Sequence, residues 1–336
     1  MKINWVGHRF IKEDGYGRFG IHMIRALTRL GVNVHPLTAT TLYDLPADIL
    51  QMTGVDFSNR SIFLMAPIAI KDAPPPNSFI WTMHEDSRLP SEWAVKINQF
   101  ERCIVPCEHN AEVFRAGGVT IPIDVVHGGT SPEEFPVRET VEDRPYTYIC
   151  LADRGSRKGW ETVWGAWYEA FPQTVTDVRL IIKARPEMVP EWFREANLPD
   201  KRIERWYDNV PDMKQVFNRA DCVVYPARGD GWGMWWREAA MMGLPALVTP
   251  YSGNAVGAHE AAITLEKYTM VESMLDYSQG EWAMADQHEV AEKMRWCYEH
   301  QAEAREKGRS AAAWLRQNQT WDHSAKALLK LIEAHA

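Results

Sequence analysis

Twice along this chain, short apolar runs alternate with amphipathic stretches, and that double alternation confines it to parallel, doubly wound α/β units. In the first half, residues 3–6, 32–37, 61–65, 79–83, 102–105 and 123–126 are strand candidates. Between them, residues 18–30 place Phe19, Met23, Ile24, Leu27 and Leu30 at helical spacing and close on Gly31, and residues 108–116 end at the Gly117-Gly118 pair. A polar, proline-bearing stretch, 132–145, carries Glu133, Glu134, Glu139, Glu142 and Asp143 and reads as an interdomain linker. The alternation then restarts with strands at 146–151, 178–183, 202–206, 222–225 and 246–249 and helices at 160–171 and 212–220. From about Asp286 onward the pattern is helical and ends with Trp314, Leu315, Trp321, Leu328, Leu329 and Ile332.

A chain of 336 residues is too long for one core of ordinary size. The expected division is an N-terminal Rossmann-like domain over 1–137, a second over 145–313, and a final helical segment, 314–336. Two such units facing each other leave a cleft between the C-terminal ends of their strands, where ligands of open α/β sheets bind. With 46% hydrophobic and 24% charged residues, the composition is that of a globular protein. No apolar run approaches a membrane span, and the first residues read as a strand with no signal-peptide core behind it, so the expected location is the cytoplasm. Five cysteines without a CxxC pair predict buried, reduced thiols and no zinc site. The net charge of −8 argues against a broad polyphosphate-binding surface.

Residues 226–254 concentrate the chemistry. Asp230 and Glu238 bracket a Gly231-Trp232-Gly233 turn and the start of an Ala/Met-rich helix that stops at Gly243, ahead of an apolar strand. A glycine turn at a helix start offers backbone N–H groups and the positive end of the dipole, which suit a phosphate or a sugar hydroxyl. Glu238 is expected about two turns into that helix. A plain N-cap role would account for Asp230, but not for Trp232, Trp235 and Trp236 crowded around a turn that also needs two glycines.

Three further segments fall at strand ends. Residues 153–160 place Arg154, Arg157 and Lys158 with two glycines directly after the strand that opens the second unit, a combination able to grip a diphosphate; a solvated turn is the alternative. Gly15-Tyr16-Gly17-Arg18-Phe19-Gly20 matches GxGxxG, yet His8–Asp14 separates it from the first strand and no acid ends the second strand. A redox dinucleotide is therefore not expected, and the glycines read as a flexible lip leading into a helix. In residues 81–88 a strand runs into His84, Glu85, Asp86 and Arg88, ionisable groups at a strand end.

In this order, the Gly-rich first loop, His84, Val125-Val126-His127-Gly128-Gly129 followed by Phe135, Arg157-Lys158-Gly159-Trp160, and Asp230-Gly231-Trp232-Gly233 through Glu238-Ala239 to Gly243-Leu244-Pro245 resemble glycosyltransferase family 4, the retaining GT-B enzymes. The resemblance spans about residues 1–260, with 230–245 its most specific part. It implies an α/β GT-B fold, two Rossmann-like doubly wound domains facing across a cleft, with the last helix crossing back to the first domain. It implies that Lys158, with Arg154 or Arg157, holds the diphosphate of a nucleotide-sugar donor. Glu238 would contact the ribose, and Asp230 the sugar hydroxyls, helped by the amides of Gly231, Trp232, Gly233 and Met234. Gly17 would approach the phosphates and His84 the transferred sugar. The acceptor pocket would draw on Tyr16, Arg18, Glu85, Asp86 and Arg88. The family's first acid is a glutamate, whereas here it is Asp230, which pulls the carboxylate back by about one C–C bond.

The expected reaction is transfer of a sugar to an acceptor hydroxyl with retention at the anomeric carbon. Lys158, its neighbouring arginine and helix-start amides would stabilise the departing diphosphate, so that neither cofactor nor divalent metal is needed. No nucleophile stands out on the opposite face, which favours same-face displacement over a two-carboxylate route. The candidate acceptors are a small glycan or lipid-linked precursor, a protein side chain, or a modified DNA base, and the oligomeric state is left open. Two alternatives are a nucleotide-sugar-binding protein without transfer activity and a hydrolysing nucleotide-sugar epimerase.

Overall fold

The computed structural model describes the chain except residues 8–14, 39–45, 53–57, 140–143, 154, 196–197, 199, 211, 276–279 and 336. It divides into two units: Met1–Ser131 with Tyr277–Gly280 and Asn318–Ala336, and Pro132–Asp276 with Glu281–Gln317.

The first unit is built from β1 (Lys2–Gly7), α1 (Gly15–Arg29), β2 (Asn33–Thr38), α2 (Ala47–Leu50), β3 (Arg60–Leu64), β4 (Ser78–Trp81), α3 (Ser91–Ile97), β5 (Arg102–Val105), α4 (Glu108–Ala116) and β6 (Ile123–Val125). Its six strands are parallel in the order β2-β1-β3-β4-β5-β6, so the winding reverses beside β1. The strands are aliphatic and aromatic on both faces because helices cover both. Ile3, Trp5, Ile80, Trp81 and Ile104 are all fully buried. The glycine motif is not a lip ahead of a helix. Helix α1 begins at Gly15 itself, so Gly17 and Gly20 lie buried in its first turns.

The second unit contains β7 (Tyr146–Ala152), α5 (Trp160–Ala170), β8 (Val178–Ala184), α6 (Glu191–Glu195), β9 (Ile203–Trp206), α7 (Met213–Asn218), β10 (Cys222–Tyr225), α8 (Met234–Met241), β11 (Ala246–Val248), α9 (Ala258–Ala261), β12 (Ile263–Thr264), β13 (Tyr268–Glu272), β14 (Glu281–Ala285), α10 (Gln287–Glu299) and α11 (Gln301–Asn318). Its main sheet is again parallel, in the order β12-β11-β10-β7-β8-β9, and reverses between β7 and β10. Strands β13 and β14 form a separate antiparallel ribbon that alternation alone did not predict. Helix α10 starts where the sequence reading put it: Asp286 caps it by accepting from the Glu289 amide at 2.8 Å. Midway along α11, Gly308 packs on the Gly243 carbonyl so closely that a Cβ would sit 2.2 Å from that oxygen.

The stretch 132–139 is laid onto the second unit. Phe135 is buried against Phe217, and Arg138 donates to the Ala220 carbonyl at 2.6 Å. Asp221 collects Arg138 at 3.4 Å and Arg144 at 2.6 Å while accepting from the Thr147 amide. The stretch 132–145 reads from its acids and prolines as an interdomain linker, and its arginines tie it to the second unit.

The last helix, α12 (Trp321–Glu333), belongs to the first unit. Trp321 meets Phe19 edge-on at 4.8 Å and stacks on His22 at 5.1 Å, both on α1. The Thr130 amide donates to the Gln319 carbonyl and the Thr130 carbonyl accepts from the Trp321 amide, and Gly129 allows this approach because a Cβ there would fall 2.3 Å from the Trp321 nitrogen. All five cysteines are buried free thiols. No described helix is long and apolar enough to cross a membrane.

Candidate active site

In the second unit, the loops leaving β7 and β10 flank the reversal point of the sheet, the position where open α/β sheets bind ligands. After β7 the chain makes one tight 3-10 turn over Gly155–Lys158. Gly159 then adopts φ +69°, and a Cβ there would meet the Pro226 carbonyl oxygen at 2.0 Å, so glycine is what allows this turn to rest on the strand exit of β10. The Arg228 amide donates to the Arg157 carbonyl at 2.8 Å and ties the two loops together.

That packing brings three predicted residues together. Lys158 Nζ donates to Asp230 Oδ2 at 2.5 Å and to the hydroxyl of Tyr225 at 2.6 Å. Tyr225 in turn donates to the same Oδ2. Arg157 donates to the Gly229 carbonyl at 2.9 Å and lies 3.8 Å from Asp230 Oδ1. Burial works against an ionised Asp230, but Lys158 and Arg157 outweigh it and hold the carboxyl well below its usual range. Burial and the Arg157 charge lower Lys158, opposed by Asp230, and burial raises the Tyr225 phenol so that it keeps its proton. Arg154 lies outside the described residues.

Asp230 is not a helix cap. The N-cap of α8 is Gly233, in left-handed conformation with no side-chain cap. Gly231, Trp232 and Gly233 are buried and Met234 is half-buried. The turn is instead held by Arg237, fully buried between the rings of Trp232 at 4.1 Å and Trp236 at 4.3 Å. Its guanidinium donates to the Trp232 and Gly233 carbonyls on one side and to those of Gly253 and Val256 on the other. The Ser252 hydroxyl donates to the Asp230 carbonyl at 3.0 Å from a backbone at φ +56°. Glu238 is buried and is the fifth residue of α8, so it stands about one and a half turns from Gly233, somewhat short of the expected two.

In the first unit, Gly17 is buried in the opening turn of α1, with Tyr16 and Arg18 half-buried beside it. The Tyr16 hydroxyl accepts from the Met83 amide at 3.1 Å and lies 3.2 Å from Thr82 Oγ1, which fixes the exit of β4. His84 is fully enclosed. Its Nε2 is 2.7 Å from Asp86 Oδ1 and 2.8 Å from the Arg88 carbonyl, and Asn110 clamps its backbone from both sides. Burial lowers the imidazole, but the Asp86 carboxylate more than offsets this, and the net shift is upward. Glu85 is half-buried and Arg88 exposed.

The sequence reading did not identify Tyr225, Arg237 or Asn110. Each carried a signal: a phenol closing an otherwise aliphatic strand, a charge inside an apolar helix, and an amide at the start of a helix that follows a buried strand.

Residues 186–328 match the model of a family described as Family 4 Glycosyltransferase in conflict systems. Over that stretch the chain is similar to family 4 glycosyltransferases. The matched stretch includes Asp230 and Glu238 but not Lys158. No curated protein matches the chain in sequence. Among solved structures, sucrose-phosphate synthase from Thermosynechococcus elongatus aligns with a TM-score of 0.72 at 13% identity, covering 99% of both chains. Anabaena HepE in complex with UDP-glucose aligns at 0.69 with 13% identity, covering 99% of this chain and 100% of that one. Trehalose-6-phosphate synthase OtsA aligns at 0.67 with 10% identity, covering 99% of both. At such identities the likeness is one of fold, and the fold is GT-B.

Proposed function

We propose that this protein is a family 4-like glycosyltransferase, which moves a sugar from a nucleotide-diphosphate sugar to an acceptor hydroxyl with retention at the anomeric carbon. The observation that carries this proposal is the meeting of Lys158, Arg157 and Asp230 at the C-terminal edge of the second sheet, on the two loops that flank its reversal point. The anomeric C–O bond to the donor breaks, its electron pair goes to the diphosphate, and charge grows on the phosphate oxygen. Lys158 and Arg157 meet that charge, and the opening turn of α8 adds backbone dipole, so the residues can carry the leaving group without a divalent metal.

Asp230 then contacts sugar hydroxyls and Glu238 the ribose, as the family resemblance implies. The acceptor hydroxyl attacks from the face the diphosphate leaves, and its proton passes to the departing phosphate oxygen. For the first unit, the family resemblance assigns Gly17 to the phosphates, and Tyr16, Arg18, His84, Glu85, Asp86 and Arg88 to the sugar and the acceptor. His84 acts there through its bond to Asp86, which sets the shape of the turn. The acceptor is a glycan, a protein side chain or a modified DNA base. HepE has been solved with UDP-glucose, which makes UDP-sugars the first donors to try.

The test is a thermal-shift screen against UDP, GDP, ADP and their sugars, followed by incubation of the stabilising donor with candidate acceptors. A ligand bound to the native state raises the melting temperature. The expected product keeps the donor's anomeric configuration by NMR and forms in the presence of a chelator. An inverted product, or nucleotide release without any acceptor, would overturn the assignment.

A further inference from the structure

We propose that Tyr225 is a positioning residue for donor binding, whose hydroxyl keeps hold of Asp230 when Lys158 turns from that carboxylate to the donor's diphosphate. This rests on the donor assignment above and extends it to a residue outside both the acid spacing and the basic loop.

Tyr225 closes β10 after Cys222, Val223 and Val224, all of them buried. A phenol at such a position is costly unless its hydroxyl is bonded. Here it is bonded on both sides, accepting from Lys158 at 2.6 Å and donating to Asp230 Oδ2. Because Lys158 also donates to Oδ2, at 2.5 Å, the three groups close a ring of hydrogen bonds on one carboxylate oxygen. The other oxygen, Oδ1, is 3.8 Å from Arg157, beyond hydrogen-bond distance. The three members of this ring differ in freedom. Lys158 sits on a flexible four-carbon stem, whereas the Tyr225 ring is fixed at a strand end and packed on Trp235 with centroids 5.4 Å apart.

A diphosphate competes with Asp230 for Lys158. If the ammonium turned away alone, a largely enclosed carboxylate would lose its closest cation, a costly state. Tyr225 stays protonated because burial raises its phenol, so it goes on donating to Oδ2 and leaves Oδ1 to meet the donor. The arrangement also gives a physical reason for aspartate at this position. One more methylene would carry the carboxylate about one C–C bond further, into the phenol and ammonium that now meet it.

Tyr225→Phe retains the ring packing and the direct Lys158–Asp230 pair. Affinity is measured by calorimetry for whichever of UDP, GDP or ADP the wild type binds, with the matching nucleoside as control. We expect the variant to bind the diphosphate about tenfold more weakly, the scale of one charged hydrogen bond, with nucleoside affinity unchanged. The loss should deepen from about pH 6 to about pH 8, because without the phenol Asp230 is relieved only by taking up a proton. In the Asp230→Asn background, Tyr225→Phe should change diphosphate affinity less than twofold, and this second pair also serves if the single variant folds poorly. An unchanged affinity in Tyr225→Phe, or equal losses for nucleoside and diphosphate, overturns the inference. A wild type that binds none of the three diphosphates overturns the donor assignment itself.

Discussion

The backbone amide of Gly253 donates to the carbonyl of Asp230 at 2.9 Å, so the loop after β11 fixes the main chain of the acid-bearing turn. A Cβ at residue 253 would lie 2.2 Å from the Gly231 oxygen and 2.6 Å from the Asp230 oxygen, both of them backbone atoms that cannot swing aside. Gly253→Ala should therefore cost ~1–3 kcal/mol of stability, the usual range for overpacking. It should also abolish the thermal shift given by the nucleotide diphosphate, because the turn is displaced with its backbone. Calorimetric unfolding with and without the nucleotide checks both expectations.

Arg237 is expected to be intolerant even of lysine. One guanidinium joins the carbonyls of residues 232 and 233 to those of 253 and 256 while lying between two indole rings. An ammonium has neither the planar fork nor the face to reproduce this. Arg237→Lys should lower the melting temperature by several degrees and open the chain near residues 231–233 to limited proteolysis, with a cost of ~2–4 kcal/mol for carbonyls left without their donor. Retained protease resistance in Arg237→Lys would show that the stacked rings alone hold the turn.

Much of this architecture was legible because strands covered on both faces read as continuous apolar runs. The boundaries of β5, α4 and β10 follow the sequence pattern directly, and Asp286 announces α10 by its capping chemistry. The ribbon of β13 and β14 was not legible, since its first strand is mostly exposed and polar residues interrupt any alternation. At the site, Lys158 and Asp230 could be proposed from their loops, but their pairing could not, because it depends on how β7 and β10 lie side by side. Arg237 was hidden for a different reason. A charge inside an apolar helix marks the residue as unusual, but only the tertiary fold shows that four carbonyls converge on it.

Two histidines of the first unit should give its stability an optimum near pH 6.5. His22 is lowered from 6.5 to about 3 by burial, reinforced by Arg18, Arg25 and Arg29 on the same helix. The unfolded chain therefore takes up a proton first, and this contribution is lost as pH falls from about 6.5 toward about 3. His84 is raised, so its contribution is complete below 6.5 and is lost as pH climbs through its folded value. Melting temperature against pH should peak between these limbs. His22→Phe, which keeps a ring against Trp321, should flatten the acid limb and leave the alkaline limb in place. An unaltered acid limb in that variant would assign the loss to other groups.

Lys158→Ala and Glu238→Ala should each reduce donor turnover at least about tenfold, which corresponds to ~1.4 kcal/mol of transition-state stabilisation. Their stability signatures should differ. The Asp230 carboxyl is depressed in the fold, so its ionic contribution is present at neutral pH and is lost as pH falls from the ordinary carboxylate value toward the much lower folded one. Removing Lys158 takes away the closest cation and lets burial push that carboxyl upward. Lys158→Ala should consequently be destabilised strongly at about pH 7 and little at about pH 3, where Asp230 has gained a proton in the unfolded chain and in the variant. Glu238→Ala removes a buried side chain on α8 that is not part of the Lys158 hydrogen-bond ring, so its effect on melting should be independent of that titration. Turnover and melting curves of both purified variants over this pH range decide the matter: near-normal turnover in both would remove these residues from the donor site, and a pH-independent loss in Lys158→Ala would show that Asp230 is not its counter-ion.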